Sequence, residues 1–318
     1  MSDVICLGEL LIDLVSTETG VALIDAPAFK KAPGGAPANV AVGLAKLGVT
    51  VGFMGKVGDD EFGHFLARTL AENGVATSGL RFSDRARTTL SFIAARADGV
   101  RECMFYRHPG ADMLLEPSEI DVRAIQAARI FHFGSITLID EPSRSATLHA
   151  VETARQAGLL VSYDPNLRLS LWPSAEAARQ GMMTGWPLAH VIKVNREEVE
   201  FLTGLTDLQA GASRLWHDRL KALLITDGAS GAYYVTAAHH GYVPGFKVDV
   251  VDTTGAGDGF VAAFLARLLG DEALLEEPGR IEAALRYANA VGALTCTQRG
   301  AIPGLPTPAQ VEAMLGRR

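Results

Sequence analysis

Asp252-Thr253-Thr254-Gly255-Ala256-Gly257-Asp258-Gly259-Phe260 reads as a tight glycine turn running into a helix. Ahead of it, Phe246-Lys247-Val248-Asp249-Val250-Val251 alternates apolar and polar residues, as a strand does. Behind it, Phe260, Phe264, Leu265 and Leu268 share one helical face. The first amides of such a helix have no intrahelical acceptor, and the helix dipole adds positive potential. Phosphate or developing negative charge is favoured there. Asp258 falls in the first turn, beside that anion site. A carboxylate so placed can take a proton from a hydroxyl that attacks a phosphoryl group. An acidic residue in a first turn also simply complements the dipole, so the turn alone leaves both readings open.

The 318 residues fit one large α/β domain or two smaller ones. Apolar content of 48% and charged content of 20% suit an ordinary globular chain with a sizeable core. A net charge of −7 disfavours nucleic-acid binding, which wants a basic face. Cys6, Cys103 and Cys296 are too few and too scattered for a disulfide frame or a zinc site, and suggest a reducing compartment. Apolar runs fall short of a membrane span, so no membrane partner is expected. Asp3, Glu9 and Asp13 interrupt the N-terminal apolar residues, which argues against a signal peptide and for a cytoplasmic protein.

In chain order, Val4 to Gly8 reads as a buried strand that Glu9 to Leu14 continues with carboxylates inserted. Asp13 at its carboxyl edge is a candidate for gripping sugar hydroxyls, or else an Asx turn. Gly34 and Gly35 permit close backbone approach to a ligand ahead of a helix from about Ala38 to Leu47. Asn39 near its start is either a cap or a two-way hydrogen bonder to a polyol. Thr89–Arg96 and Arg101–Arg107 flank Asp98-Gly99, a hairpin signal. That hairpin reads as a flap, with Tyr106 and Arg107 at its end placed to reach over a site. Strands at 130–134, 160–163, 191–194 and 223–226 then each deliver polar or glycine residues at their carboxyl ends. This is the layout of a doubly wound, mostly parallel α/β sheet with one binding crest. His132 reads as a core residue. A last long helix is expected over Ile281–Thr297.

A phosphate-binding P-loop is absent: Gly52 to Val57 has the wrong spacing and no hydroxyl. Neither the dinucleotide fingerprint nor a complete protein-kinase motif set occurs.

Six further blocks complete the pattern: Gly8–Asp13, Lys31–Ala41, Gly55–Gly63, Met104–Arg107, Ser162–Arg168 and Arg299–Pro303. With the Gly-Ala-Gly-Asp turn, the chain resembles the ribokinase-like, PfkB-type carbohydrate kinases over essentially its whole length. Within that family it looks most like the fructokinases, through Ala-Pro-Gly-Gly-Ala-Pro-Ala-Asn at 32–39. The resemblance implies one kinase domain over 1–318, an αβα sandwich with a small β lid from about 12–33 and 86–110. It implies Asp258 as catalytic base, with the amides of Gly255, Ala256 and Gly257 as the anion hole. Asp13, Gly34, Gly35, Asn39, Arg107 and Arg168 look like substrate contacts. Lys193, Asn195, Thr226, Gly228, Gly231 and Asn289, with Gly257, look like ATP contacts. Glu198 looks like an Mg²⁺ contact through water, and Asp252, Thr254 and Gly300 like a monovalent-cation loop for K⁺. The expected partners are a small sugar and ATP, with a homodimer formed through the lid. One departure is Gly259, where the family usually has Ala; glycine there costs up to about 1 kcal/mol of helix stability. The near alternatives are a 2-keto-3-deoxygluconate or other furanose kinase, and a sensor on the same fold without catalysis.

Overall fold

The computed structural model describes residues 2–98, 100–271 and 273–316, with Arg101 described by its backbone alone. Strands β1 to β7 are Val4–Leu7, Leu11–Ser16, Phe29–Gly34, Val51–Gly58, Ala76–Ser83, Leu90–Ala95 and Arg101–Tyr106. Strands β8 to β13 are Ile130–Gly134, Leu160–Asp164, Val191–Asn195, Ala222–Thr226, Gly231–Thr236 and His240–Pro244. Helices α1 to α6 are Ala36–Lys46, Glu61–Glu72, Val122–Gln126, Ser143–Gln156, Ala175–Gly185 and Arg196–Thr203. Helices α7 to α11 are Leu208–Leu215, Ala256–Gly270, Pro278–Thr295, Ala301–Gly304 and Pro308–Leu315.

Among the described residues, nine strands form one sheet in the order β13-β12-β11-β10-β9-β8-β1-β4-β5. Every pairing from β5 to β11 is parallel, and β12 and β13 add antiparallel at one edge. Side chains alternate across it. Val4 and Cys6 join one core cluster, with residues of α1, α8 and α9. Ile5 and Leu7 join the other, with residues of α4, α6 and α7. A parallel sheet buried on both faces needs helices on both sides, and the period of two shares its side chains between them. The expected mostly parallel sheet between helices is therefore observed. β1 lies between β4 and β8, so strand order reverses beside it and the carboxyl ends open a crevice there.

A second sheet has the order β3-β2-β6-β7. Phe92 of β6 packs edge-on against Phe29 of β3, centroids 5.2 Å apart, and against Tyr106 of β7 at 5.3 Å. Gly99, the glycine of the expected Asp-Gly turn between β6 and β7, lies outside the described residues.

Two expectations are corrected. Residues 9–14 do not continue β1. The chain leaves the main sheet at Gly8, and Leu11 begins β2 in the second sheet, paired with β3 and β6. Glu9 at the junction is buried, and its Oε1 accepts from the Ala36 amide at 2.8 Å, the start of α1. That bond anchors the junction where the backbone passes from the ladder of the first sheet, ending at Leu7, to that of the second, starting at Leu11. Residues 246–251 form no strand either. Phe246, Val248 and Val250 line a cavity instead, so their alternation belongs to a wall with one wet side. His132 is a core residue, bonded through Nδ1 to Ser162 Oγ at 3.0 Å, with burial pushing its pKa down to about 4.

Candidate active site

A cavity of about 740 Å³ runs along the carboxyl ends of the main sheet and under the second sheet. The start of α8 lies at its centre. Gly255 has φ +81°, the left-handed region that glycine adopts without strain. A Cβ there would stand 2.5 Å from the Cβ of Ala301, so the turn backs directly onto α10. The first bond inside α8 runs from the Gly259 amide to the Gly255 carbonyl, 2.8 Å. The Gly257 and Asp258 amides precede that bond, while the Ala256 amide makes a long 3.3 Å bond to Thr253 O. Burial of Phe260, Phe264 and Leu265, at roughly 1.5–3 kcal/mol each, holds the helix start rigidly.

Asp258 is buried, and its Oδ2 accepts from Asn39 Nδ2 at 2.8 Å. Burial raises its pKa to about 6 against the opposing Asn39 bond, with Asp164 adding to the rise and Lys193 and Arg168 reducing it. The carboxyl is thus ionised above pH 6 yet basic enough to hold a proton. Asn39 Oδ1 is buried with no hydrogen-bond partner among the described residues. An orphaned acceptor costs free energy unless a donor such as a ligand hydroxyl meets it.

Asp258 has a charged neighbourhood that sequence reading only half found. Lys193 in the middle of β10 donates to Asp164 Oδ2 at 3.0 Å, both groups being buried. Burial lowers the Lys193 pKa, but Asp164 and Glu198 outweigh it and the net shift is upward. Asp164 had no assigned role, although it stands in the Asp-Pro-Asn block; its partner lies 29 residues away in sequence, so no spacing rule points to it. Asn195 and Glu198 form a reciprocal capping box on α6. Glu198 also accepts from the Leu167 amide at 2.7 Å, so its carboxylate holds two backbone segments together. Glu198 does not line the cavity, whereas Asn195 and Glu197 do.

Near the second sheet, Asp13, Gly35, Asn39 and Arg168 line the cavity, joined by Glu9 and Ser91. Asp13 accepts from the Ser91 hydroxyl in a very short contact. Gly34 is not a lining residue; a Cβ there would meet Asp13 Oδ2 at 2.3 Å, so it leaves room for that carboxylate. Gly35 has φ +110°, and a Cβ would meet the Glu9 carbonyl at 2.3 Å. Burial pushes the Glu9 pKa up to about 7.

The β7 end of the hairpin differs from expectation. Neither Tyr106 nor Arg107 lines the cavity; Cys103 and Phe105 do. Tyr106 and Met104 point the other way, 60% and 44% exposed. For Tyr106 a strand's period of two makes this a one-residue difference, whereas Arg107 lies just past the end of β7. The Arg107 guanidinium is buried against Asp112, 2.7 Å from its Oδ2, with Asp140 at 3.8 Å.

At the opposite end, Thr226, Gly228, Gly231 and Asn289 line the cavity. Asn289 Nδ2 donates to the carbonyls of Val243 and Pro244 at 3.1 and 3.2 Å, tying α9 to β13. Asp252 lies behind the glycine turn. Its Oδ1 accepts from the Thr254 amide at 2.9 Å and hydroxyl at 2.5 Å, and its Oδ2 from the Gly300 amide at 2.8 Å. One carboxylate thus makes an Asx turn and also pins the 300 loop. Thr254 lines the cavity; Asp252 and Gly300 do not. No group of three or more His, Cys, Asp and Glu suited to holding a metal occurs among the described residues.

A parallel-sheet crevice with an anion-binding helix start and a buried basic carboxylate defines a group-transfer site. The model of the pfkB family carbohydrate kinases matches residues 1–308, and the chain belongs to that family. It is 53% identical over 313 residues to probable fructokinase-4 of Arabidopsis thaliana, covering 98% of this chain and 96% of that one. It is similar to the solved fructokinase from Xylella fastidiosa with bound ATP. That likeness has a TM-score of 0.90 and 37% identity, covering 99% of this chain and 98% of that one. It also resembles a double-mutant fructokinase from Vibrio cholerae O395 bound to fructose, ADP and potassium ion, with a TM-score of 0.88 and 36% identity. Coverage there is 99% of this chain and 98% of that one.

Proposed function

We propose that this protein is a fructokinase, transferring the γ-phosphoryl of ATP to the 6-hydroxyl of D-fructose. The observation that carries the reading is Asp258, a buried carboxylate of pKa about 6 held by Asn39 beside the free amides of a helix start. The sugar lies against Asp13, Gly35 and Asn39, its hydroxyls meeting the Asp13 carboxylate and the orphaned Asn39 Oδ1. The nucleotide lies against Thr226, Gly228, Gly231 and Asn289. The 6-oxygen attacks the γ-phosphorus, the bond to the β-phosphate oxygen breaks, and Asp258 takes the hydroxyl proton. The amides of Gly255–Gly257 and the Lys193 ammonium meet the charge on the transferring oxygens. The second sheet acts as the lid that excludes water during transfer.

Mg²⁺ would arrive with the nucleotide, keeping most of its waters, and supply charge neutralisation at the phosphates. The donor set fits that form better than a dry cage, since Glu198 is occupied with backbone amides. Exposed Met104 and Tyr106 support pairing of two copies through the second sheet. Cysteines as few and scattered as Cys6, Cys103 and Cys296 fit a reducing, cytoplasmic setting.

A keto-acid kinase would want two cations at the sugar end. Arg107 is committed to Asp112, which leaves Arg168 as the arginine on the cavity wall and favours a neutral sugar. Initial rates with fructose, ribose and 2-keto-3-deoxygluconate test this. Fructose should give the highest kcat/KM; a higher value for the keto acid would overturn the substrate while leaving the family intact.

Asp252 and the Thr254 hydroxyl are oxygen donors of the kind a hard cation takes. A K⁺ held there would steady the turn ahead of Gly255. Turnover should rise with K⁺, less with Na⁺, and Asp252→Ala should abolish the response. Equal rates in potassium and in a large organic cation, at fixed ionic strength, would leave Asp252 as a turn former only.

A further inference from the structure

Helix α1 touches the site at its first turn and is tied to α10 at its last residue. Its first turn carries Asn39, which holds Asp258. Its last residue is Lys46, whose half-buried ammonium donates to the carbonyls of Ile302 at 2.7 Å and Leu305 at 3.0 Å. Those carbonyls belong to α10 and the residue after it. α10 in turn backs the glycine turn, since Ala301 stands against the Cα of Gly255. The residue just ahead of it, Gly300, donates to Asp252. Leu305 reaches toward both α1 and α8: a Cβ at Gly43 would lie 3.4 Å from it, and one at Gly259 3.2 Å. A short path therefore runs from the Lys46 ammonium through α10 to the amides at the start of α8.

We propose that Lys46 is a positioning residue for phosphoryl transfer: by tying the Ile302 and Leu305 carbonyls to α1, it fixes α10 as the backstop of the Gly255 turn. This rests on the reading of the α8 start as the phosphoryl site. Lys46 itself lies outside the cavity, so it acts through α10 and touches no substrate. α10 spans only Ala301–Gly304, too short to hold its place by its own helical bonds. Lys46 also opens onto a small cleft of about 190 Å³ that Thr297, Gln298, Thr307 and Gln310 share. Water in that cleft can meet the two carbonyls when the ammonium is removed, so the fold survives while the backstop loosens.

Lys46→Met keeps the aliphatic stem and removes the donors. It should lower kcat about 10-fold, a fraction of the roughly 10²-fold that an ångström of misplacement costs. KM for fructose should stay within about two-fold, because the sugar end of α1 is untouched, in contrast to uniform loss of binding. Amide exchange should quicken in the peptide covering residues 252–260 and stay unchanged in the core strands. Lys46→Arg, which can donate to the same carbonyls, should recover most of kcat. Unchanged kcat with a lowered Tm would overturn the proposal and leave Lys46 as a stabilising contact. So would a slower kcat without faster exchange at 252–260. Failure of the underlying phosphoryl-site reading would show separately, as full activity in Asp258→Asn.

Discussion

Asp258→Asn should lower kcat by at least 10²-fold, leave ATP binding largely intact, and make the protein more stable. General-base assistance is worth about 10²–10⁴-fold, and the amide that replaces the carboxylate cannot take the proton. Asn39 can still donate to the new carbonyl, so the local geometry has no reason to collapse. The stability gain follows from the raised pKa. Burial favours the protonated carboxyl in the fold, about 6 against an ordinary 3.8. The stabilising contribution is therefore complete below the unfolded value and is lost as pH rises through about 6. At pH 7.5 the buried anion costs up to roughly 3 kcal/mol, at 1.36 kcal/mol per pKa unit. An uncharged amide removes that cost, so Tm should rise by several degrees at pH 7.5 and by little near pH 4. The same ionisation shapes the rate: kcat/KM for the wild type should fall as pH drops below about 6, where the base becomes protonated. Turnover above about a tenth of wild type would remove Asp258 from the catalytic role. A Tm that falls at pH 7.5 would show that its hydrogen bonds outweigh its desolvation.

The two kinds of information in the sequence were unequally legible. Strand runs such as Val4–Leu7 and Val191–Asn195 announce themselves, because a buried parallel strand is apolar on both faces. The glycine turn and Asp258 are legible because their chemistry is local: the amides and the carboxylate lie within one helical turn. Phe246–Val251 misleads because alternation reports one dry and one wet side, which a cavity wall shares with an edge strand. Arg107 misleads in another way. Its side chain type suits a ligand, but Asp112, five residues on, takes the guanidinium in a turn that no periodicity marks. The Asn195-x-x-Glu198 pair carries a recognisable capping-box spacing, and the fold uses it as one. Asp164 with Lys193, and Lys46 with the Ile302 carbonyl, join residues far apart in the chain. Such pairings depend on which strands and helices become neighbours, and that emerges only with the assembled fold.

Gly255→Ala should lower both stability and turnover sharply. Gly255 has φ +81°, where an L-residue with a Cβ is strained by about 1 kcal/mol or more. The added carbon would stand 2.5 Å from Ala301 Cβ and 2.8 Å from Ala301 Cα. The second contact is with backbone, so no side-chain rotation relieves it. Either the turn or α10 must move, and overpacking of this kind costs typically 1–3 kcal/mol. The two terms together give a loss of roughly 2–4 kcal/mol, a large share of the margin by which a fold survives. The displacement falls on the residues that aim the first amides of α8. An ångström of error there costs on the order of 10²-fold in rate. kcat should therefore drop about as far as with Asp258→Asn, but Tm should fall where Asp258→Asn raises it. Opposite signs of ΔTm with matching losses of kcat would separate a misplaced anion hole from a missing base. A second change, Ala301→Gly, removes the Cβ that the new methyl meets and relieves part of the clash, but not the strained φ. The double variant should recover stability and part of kcat. Wild-type kinetics in Gly255→Ala would mean that the amides ahead of α8 are not what holds the transferring phosphoryl group.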